Sequence, residues 1–199
     1  MIGNAIVQID LGNGNEYDKS RFRELFGGGY EHSSWVADAV FDSVVESPVL
    51  DGEVQKGDSP RGETPEDAVL IYEALVQRFE QVFLSSSKSQ QLEVLRAHPE
   101  LACRRATSEQ LTAASQQEQS GSGLDQCSDI ELKQFIEMNN KYMNKNKFPF
   151  IIAVKGLSRS NILQLFEKRL ANDSETEFEI ALQQVNRIAR LRIETLLHA

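Results

Sequence analysis

The sequence predicts an all-α protein. Apolar side chains recur at spacings of three and four through most of the chain. Those blocks end at helix-type boundaries, at Ser, Thr or Asp before them and at Gly or Ser runs after them. Only one stretch, 148–154, reads as extended. The count is about eight helices in one domain.

In chain order, residues 1–17 end in a Gly/Asn cluster and read as an irregular lead-in; the helical domain spans 18–199. Asp18 and Ser20 are candidate caps for a short helix with Phe22, Leu25 and Phe26 on one face. Gly27-Gly28-Gly29 stops it. No Gly-Lys-Ser/Thr follows, so the glycines read as a turn and not as a phosphate cradle. Glu31-His32-Ser33 opens a second helix with Trp35, Val36, Ala39 and Val40, and His32 reads as a partly exposed capping histidine. From 43 to 64 the chain carries Pro48, Gly52, Gly57, Pro60 and Gly62 among charges, and reads as a loop within the domain.

Pro65 suits a first helical position after Thr64 as cap. Val69, Tyr72, Leu75, Val76, Phe79, Val82 and Phe83 form the stripe of that helix, and Ser85-Ser86-Ser87 breaks it. The next helix carries Leu92, Val94 and Leu95 and runs into His98-Pro99. Proline disfavours helical geometry in the residue before it, so His98 is expected at a helix end with its ring off the axis.

Ser108 is the expected cap of the following helix, where Thr112, Ser115 and Gln119 share a face and Glu118 lies beside it. Gly121 and Gly123 end it. Ser128 caps a long helix with Leu132, Phe135, Ile136, Met138, Tyr142 and Met143. Phe148 to Val154 is a buried extended run, turned by Lys155-Gly156. Ser158 or Ser160 caps a helix with Ile162, Leu163, Leu165, Phe166 and Leu170. Ser174 with Glu177 matches a capping box for the last helix, which uses Phe178, Ala181, Leu182, Val185, Ile188, Ala189, Ile193 and Leu196.

Several function classes are disfavoured. The formal charge of -9 argues against a nucleic-acid binder, which needs clustered Lys and Arg. No apolar run approaches the roughly 18 residues of a membrane span. The N-terminal stretch makes a poor signal peptide, and Cys103 and Cys127 form no metal-spaced pair. A cytoplasmic location is expected. The C-terminal Leu-His-Ala is not the usual peroxisomal tripeptide, and the peroxisome is the alternative for a eukaryotic source. Three scattered histidines offer no metal-ligand spacing, and there is no nucleophile elbow, P-loop or dinucleotide fingerprint. What stands out is His98, an imidazole able to exchange protons near neutrality, beside a helix of neutral donors and acceptors. Glu118 is the nearest carboxylate to orient it. Arg187, Arg190 and Arg192 read mostly as a solvated helix face; Arg192 sits in an apolar neighbourhood, and one of the three is a candidate to point inward and hold an anion.

RAHPELA (96–102), LTAASQQEQSGSGL (111–124), FPFIIAVKG (148–156), IARLRI (188–193) and GGGYEHSSWVA (27–37) together resemble the OHCU decarboxylase family of purine catabolism. The match runs in order over about 18–197. The resemblance implies a cofactor-free, homodimeric, all-α carboxy-lyase. Its substrate is the small ureidoimidazoline 2-oxo-4-hydroxy-4-carboxy-5-ureidoimidazoline, its product (S)-allantoin, and its step the last in urate degradation. It places the catalytic histidine on His98 with Glu118 as its partner. Substrate contacts fall on Pro99, Thr112, Ser115, Gln119 and Arg192, and on the backbone of Phe150, Ile151, Ile152 and Ala153. Ser34 stands where the family often has proline, and the 43–64 loop replaces an Arg-Pro-Phe-like stretch. The rival readings are a non-catalytic helical module that binds a protein partner through 43–64, and a hydrolase of a related ureido compound.

Overall fold

The computed structural model describes residues 19–46, 65–101 and 112–198. Among them are eight α-helices, one 3-10 turn and no strand. The helices are α1 (Lys19–Phe26), α2 (Trp35–Glu46), α3 (Pro65–Ser85), α4 (Lys88–Ala97), α5 (Ala113–Gly121), α6 (Asp129–Asn146), α7 (Arg159–Leu170) and α8 (Ser174–His198). The all-α expectation holds. The lead-in 1–17, Cys103 and the expected cap Ser108 lie outside the described residues, as does the loop from 47 onward. The first residues expected in that loop, 43–46, continue α2. None of the helices is long and apolar enough to cross a membrane, among the described residues.

The chain divides into two compact units, Met1–Ser86 with Ala189–Ala199, and Ser87–Ile188. In the first unit, Phe22, Phe26, Tyr30, Phe41, Phe79 and Phe83 form an aromatic core. Phe22 lies 4.8 Å from Phe26 and 6.1 Å, stacked, from Phe79. Such pairs add about 0.5–1.5 kcal/mol beyond the area they bury. Leu25, expected on the same face, is 40% exposed. The three glycines do make a turn: the Gly27 N–H donates to the Arg23 carbonyl and the Gly29 N–H to the Phe26 carbonyl. A Cβ on Gly27 would stand 2.4 Å from the Arg23 carbonyl oxygen, so only glycine fits there. The expected cap at 31–33 is corrected. His32 has φ 48° in a turn closed by the Ser33 N–H on the Tyr30 carbonyl, its ring is exposed, and the helix starts at Trp35.

In the second unit, Ser87 and Ser128 cap α4 and α6 with capping boxes to Gln90 and Glu131. Ser158 does the same for α7 with Asn161. Two expected caps are corrected. α5 starts after Thr112, whose Oγ1 accepts the Ser115 N–H, so Thr112 is the cap and not a helical-face residue. α8 is capped by Asp173, whose carboxylate accepts the N–H groups of Glu175 and Thr176. Those bonds hold the Asp173 carboxyl below its usual range. Glu177, expected to close the box, is fully buried instead. The buried stripe of α6 is also rotated from expectation: it is Phe135, Met138, Asn139, Tyr142 and Asn146, while Ile136 is exposed. Tyr142 meets Phe148, Phe150 and Phe166 edge-on, and Phe150 stacks on Phe166 at 3.8 Å. The 148–154 run is buried throughout but forms no strand. The Leu157 N–H donates to the Val154 carbonyl and closes its turn, with Gly156 at φ 80°, a position that favours glycine.

Candidate active site

His98 is placed by backbone chemistry. Pro99 keeps it out of the helix, at φ -71°, ψ 138°, as the C-cap of α4. Its ring folds back and is 8% exposed, with Nδ1 2.8 Å from the Val94 carbonyl oxygen. A carbonyl only accepts, so Nδ1 carries the hydrogen, and in the neutral ring Nε2 carries the lone pair. The ring is therefore oriented at Nδ1 by a main-chain carbonyl.

Three segments of this unit are stitched together around that turn. The Gln119 side-chain amide donates to the Glu100 carbonyl at 3.2 Å, tying α5 to the residues just after His98-Pro99. The Ser122 hydroxyl, at the end of α5, donates to the Val154 carbonyl at 3.0 Å. The Arg96 Nε–H donates to the Lys147 carbonyl at 3.1 Å, tying α4 to the start of the apolar run. On α5, Ser115 is buried and Glu118 and Gln119 are half-buried. Thr112 is half-buried, and its hydroxyl oxygen accepts the Ser115 N–H at the start of the helix. His98, Pro99, Thr112, Ser115, Glu118, Gln119 and Phe150 to Ala153 thus all belong to one unit.

The apolar run is gripped by polar side chains that sequence reasoning missed. The Arg169 guanidinium donates to the Ile151 carbonyl at 2.7 Å, and the Gln184 side-chain oxygen accepts the Ala153 N–H at 3.0 Å. Arg169 also meets Glu177 at 2.9 Å and lies 4.4 Å over the Phe150 ring. Tyr142 donates its hydroxyl to Glu177; burial and then that bond push the phenol well above its usual range, so it stays protonated. One signal was legible: Arg169 follows Ile162 and Phe166 at helical spacing, a core position. Gln184 carried none.

Arg192 belongs to the other unit. It is 7% exposed, and its NH1 donates to Glu31 at 2.7 Å and to the Gly28 carbonyl at 3.4 Å. Glu31 is buried and was not expected to be. Arg190 pairs at the half-exposed surface with Glu73, and Arg187 is exposed. No group of three or more His, Cys, Asp or Glu is placed to hold a metal among the described residues.

Comparison with known proteins gives the family of the chain. The family model for OHCU decarboxylase matches residues 15–194. The chain is 35% identical over 182 residues to the 2-oxo-4-hydroxy-4-carboxy-5-ureidoimidazoline decarboxylase of Halalkalicoccus jeotgali, covering 92% of this chain and 88% of that protein. It is 30% identical to the uric acid degradation bifunctional protein of Bacillus sp. (strain TB-90), of whose length it spans 31%. A crystal structure of (S)-allantoin synthase superposes with a TM-score of 0.65 at 25% identity, over 96% of this chain and 53% of that one. A second, an OHCU decarboxylase in the presence of (S)-allantoin, gives a TM-score of 0.54 at 23% identity over 64% of this chain and 82% of that one, a likeness of fold. With the match running over nearly the whole length, the chain belongs to the OHCU decarboxylase family.

Proposed function

We propose that this decarboxylase removes CO2 from 2-oxo-4-hydroxy-4-carboxy-5-ureidoimidazoline to leave (S)-allantoin, with His98 as its proton handler. The observation that carries the reading is the His98 ring, pinned at Nδ1 by Val94 so that Nε2 is the basic nitrogen, in a turn tied to the polar α5 helix. The bond from the ring carbon to the carboxylate breaks and CO2 departs. The electron pair enters the ring and passes towards the adjacent C=N. His98 accepts the proton of the ring hydroxyl, which becomes the carbonyl of allantoin. Two protons complete allantoin: the nitrogen of that C=N takes one from solvent, and the other is delivered to one face of the carbon bearing the ureido group, which fixes the (S) centre. Hydroxyl and amide donors stabilise the charge as it develops. Thr112, Ser115 and Gln119 supply such donors, Glu118 supports His98 or the substrate hydroxyl, and Pro99 packs beside the ring. The backbone of Phe150 to Ala153 bonds the ring edge. Arg192 holds an anionic or carbonyl oxygen, its charge already partly balanced by Glu31. The active form is a cytoplasmic homodimer, a state that sedimentation at assay concentration checks by mass.

The test is circular dichroism of allantoin, with urate oxidase and hydroxyisourate hydrolase generating the unstable substrate in place. Adding this chain is expected to give a rapid rise of the (S) signal. Slow racemic allantoin, no faster than unaided decay, would refute the reading and favour a non-catalytic module. In the same assay Arg192→Met is expected to raise KM about tenfold, as loss of a charge-assisted contact does. An unchanged KM removes Arg192 from the binding set.

A further inference from the structure

The grip on the 148–154 run bears on how it meets a ligand. The Ile151 carbonyl points to Arg169, and the Ala153 N–H points to Gln184. Both flanking peptides are trans, and in a planar trans peptide the C=O and N–H point in opposite directions. The N–H of Ile152 is therefore directed away from Arg169, and the carbonyl of Ile152 away from Gln184. One residue presents a donor and an acceptor, a pairing that suits the N–H and C=O edge of a ureide ring.

Arg169 is held firmly enough to set this. It is 8% exposed, bonds Glu177 through both Nε and NH2, and caps the face of Phe150, which in turn stacks on Phe166. A charged donor on a carbonyl also draws electron density through the peptide, which strengthens the N–H at its other end. We infer that Arg169 is a positioning residue for the reaction: through the Ile151 carbonyl it fixes the plane and the donor strength of the Ile152 N–H that meets the substrate ring. This rests on the function proposed above. A purely structural Arg169 would matter to folding and leave the kinetics of folded enzyme alone.

The experiment measures kcat and KM on the full chain by the coupled allantoin assay, with a thermal melt to show each variant folded at assay temperature. Arg169→Met is expected to raise KM about tenfold, the scale of losing one charge-assisted hydrogen bond. Arg169→Lys keeps a charge for Glu177 but not the fork that also reaches Ile151, and is expected to show part of that rise. Glu177→Gln keeps the Ile151 bond and is expected to lower the melting temperature with KM within about twofold of wild type. A folded Arg169→Met with both constants at wild-type values overturns the inference. Should that variant not fold, Arg169→Met with Glu177→Leu decides in its place, and failing that Arg169→Lys, an unchanged KM in either being the overturning result. A wild type that makes no (S)-allantoin fails the proposed function and this inference with it, whereas active wild type with unmoved variants fails the inference alone.

Discussion

His98→Ala is expected to abolish catalysis in a chain that still folds. Turnover should fall by about 1,000-fold, within the range general acid–base groups supply. The ring also does structural work. Its Nδ1–H satisfies the Val94 carbonyl in the last turn of α4, and the helix end is already shaped by Pro99. Losing that bond costs about 1 kcal/mol of stability, so the helical spectrum should persist with a modest drop in melting temperature. Two further variants separate placement from proton transfer. In His98→Asn the amide nitrogen can take the place of Nδ1 and keep the bond to Val94, yet nothing stands where Nε2 was. In His98→Gln an amide reaches towards the Nε2 position but accepts no proton. Both are expected to fold and to be as inactive as alanine. Near wild-type formation of (S)-allantoin by any of the three would show that the proton is handled elsewhere.

The helices were legible because their signals are local. Apolar side chains three and four apart, a proline at position 65, and serines at 128 and 158 each act within one turn, and the structure honours them. His98 was legible for the same reason: the proline after it restricts its backbone. What was not legible is which polar residues go inside. Glu31 and Glu177 are buried because each finds a partner far along the chain, Arg192 at 161 residues' separation from Glu31 and Tyr142 at 35 from Glu177. Periodicity counts only apolar groups. So Glu177, three residues after a serine, looked like a cap partner, when Asp173 caps the helix and frees it for the core. Thr112 failed in the opposite sense. Placed by spacing on a helix face, it proves to be the residue that starts the helix. The role of Arg192 came from resemblance, and its ion pair with Glu31 could not be inferred from spacing.

Glu177→Ala should be the most destabilising single change in the Ser87–Ile188 unit. Glu177 is fully buried and accepts from Arg169, Tyr142 and Asn172. Its removal strands the guanidinium as an uncompensated buried charge, which costs about 3–5 kcal/mol. For a chain of this size that is a fall in melting temperature of roughly 10 °C. The charge, more than the cavity, sets the size of the effect, and the two are separable. Replacing both partners, Arg169→Met with Glu177→Leu, removes the stranded charge and fills the space with apolar volume. Buried pairs replaced this way are often neutral or stabilising, although here Tyr142 and Asn172 also lose an acceptor. The double variant is therefore expected to be more stable than Glu177→Ala, by urea or thermal unfolding, and to depart from additivity in the stabilising direction. If it melts below the single variant, the network contributes more than its charge pair. Stability and activity should then part company. The double variant regains the fold while its Ile151 carbonyl has no cation, so the grip on the ring-binding segment stays lost in a chain that melts like a healthy protein.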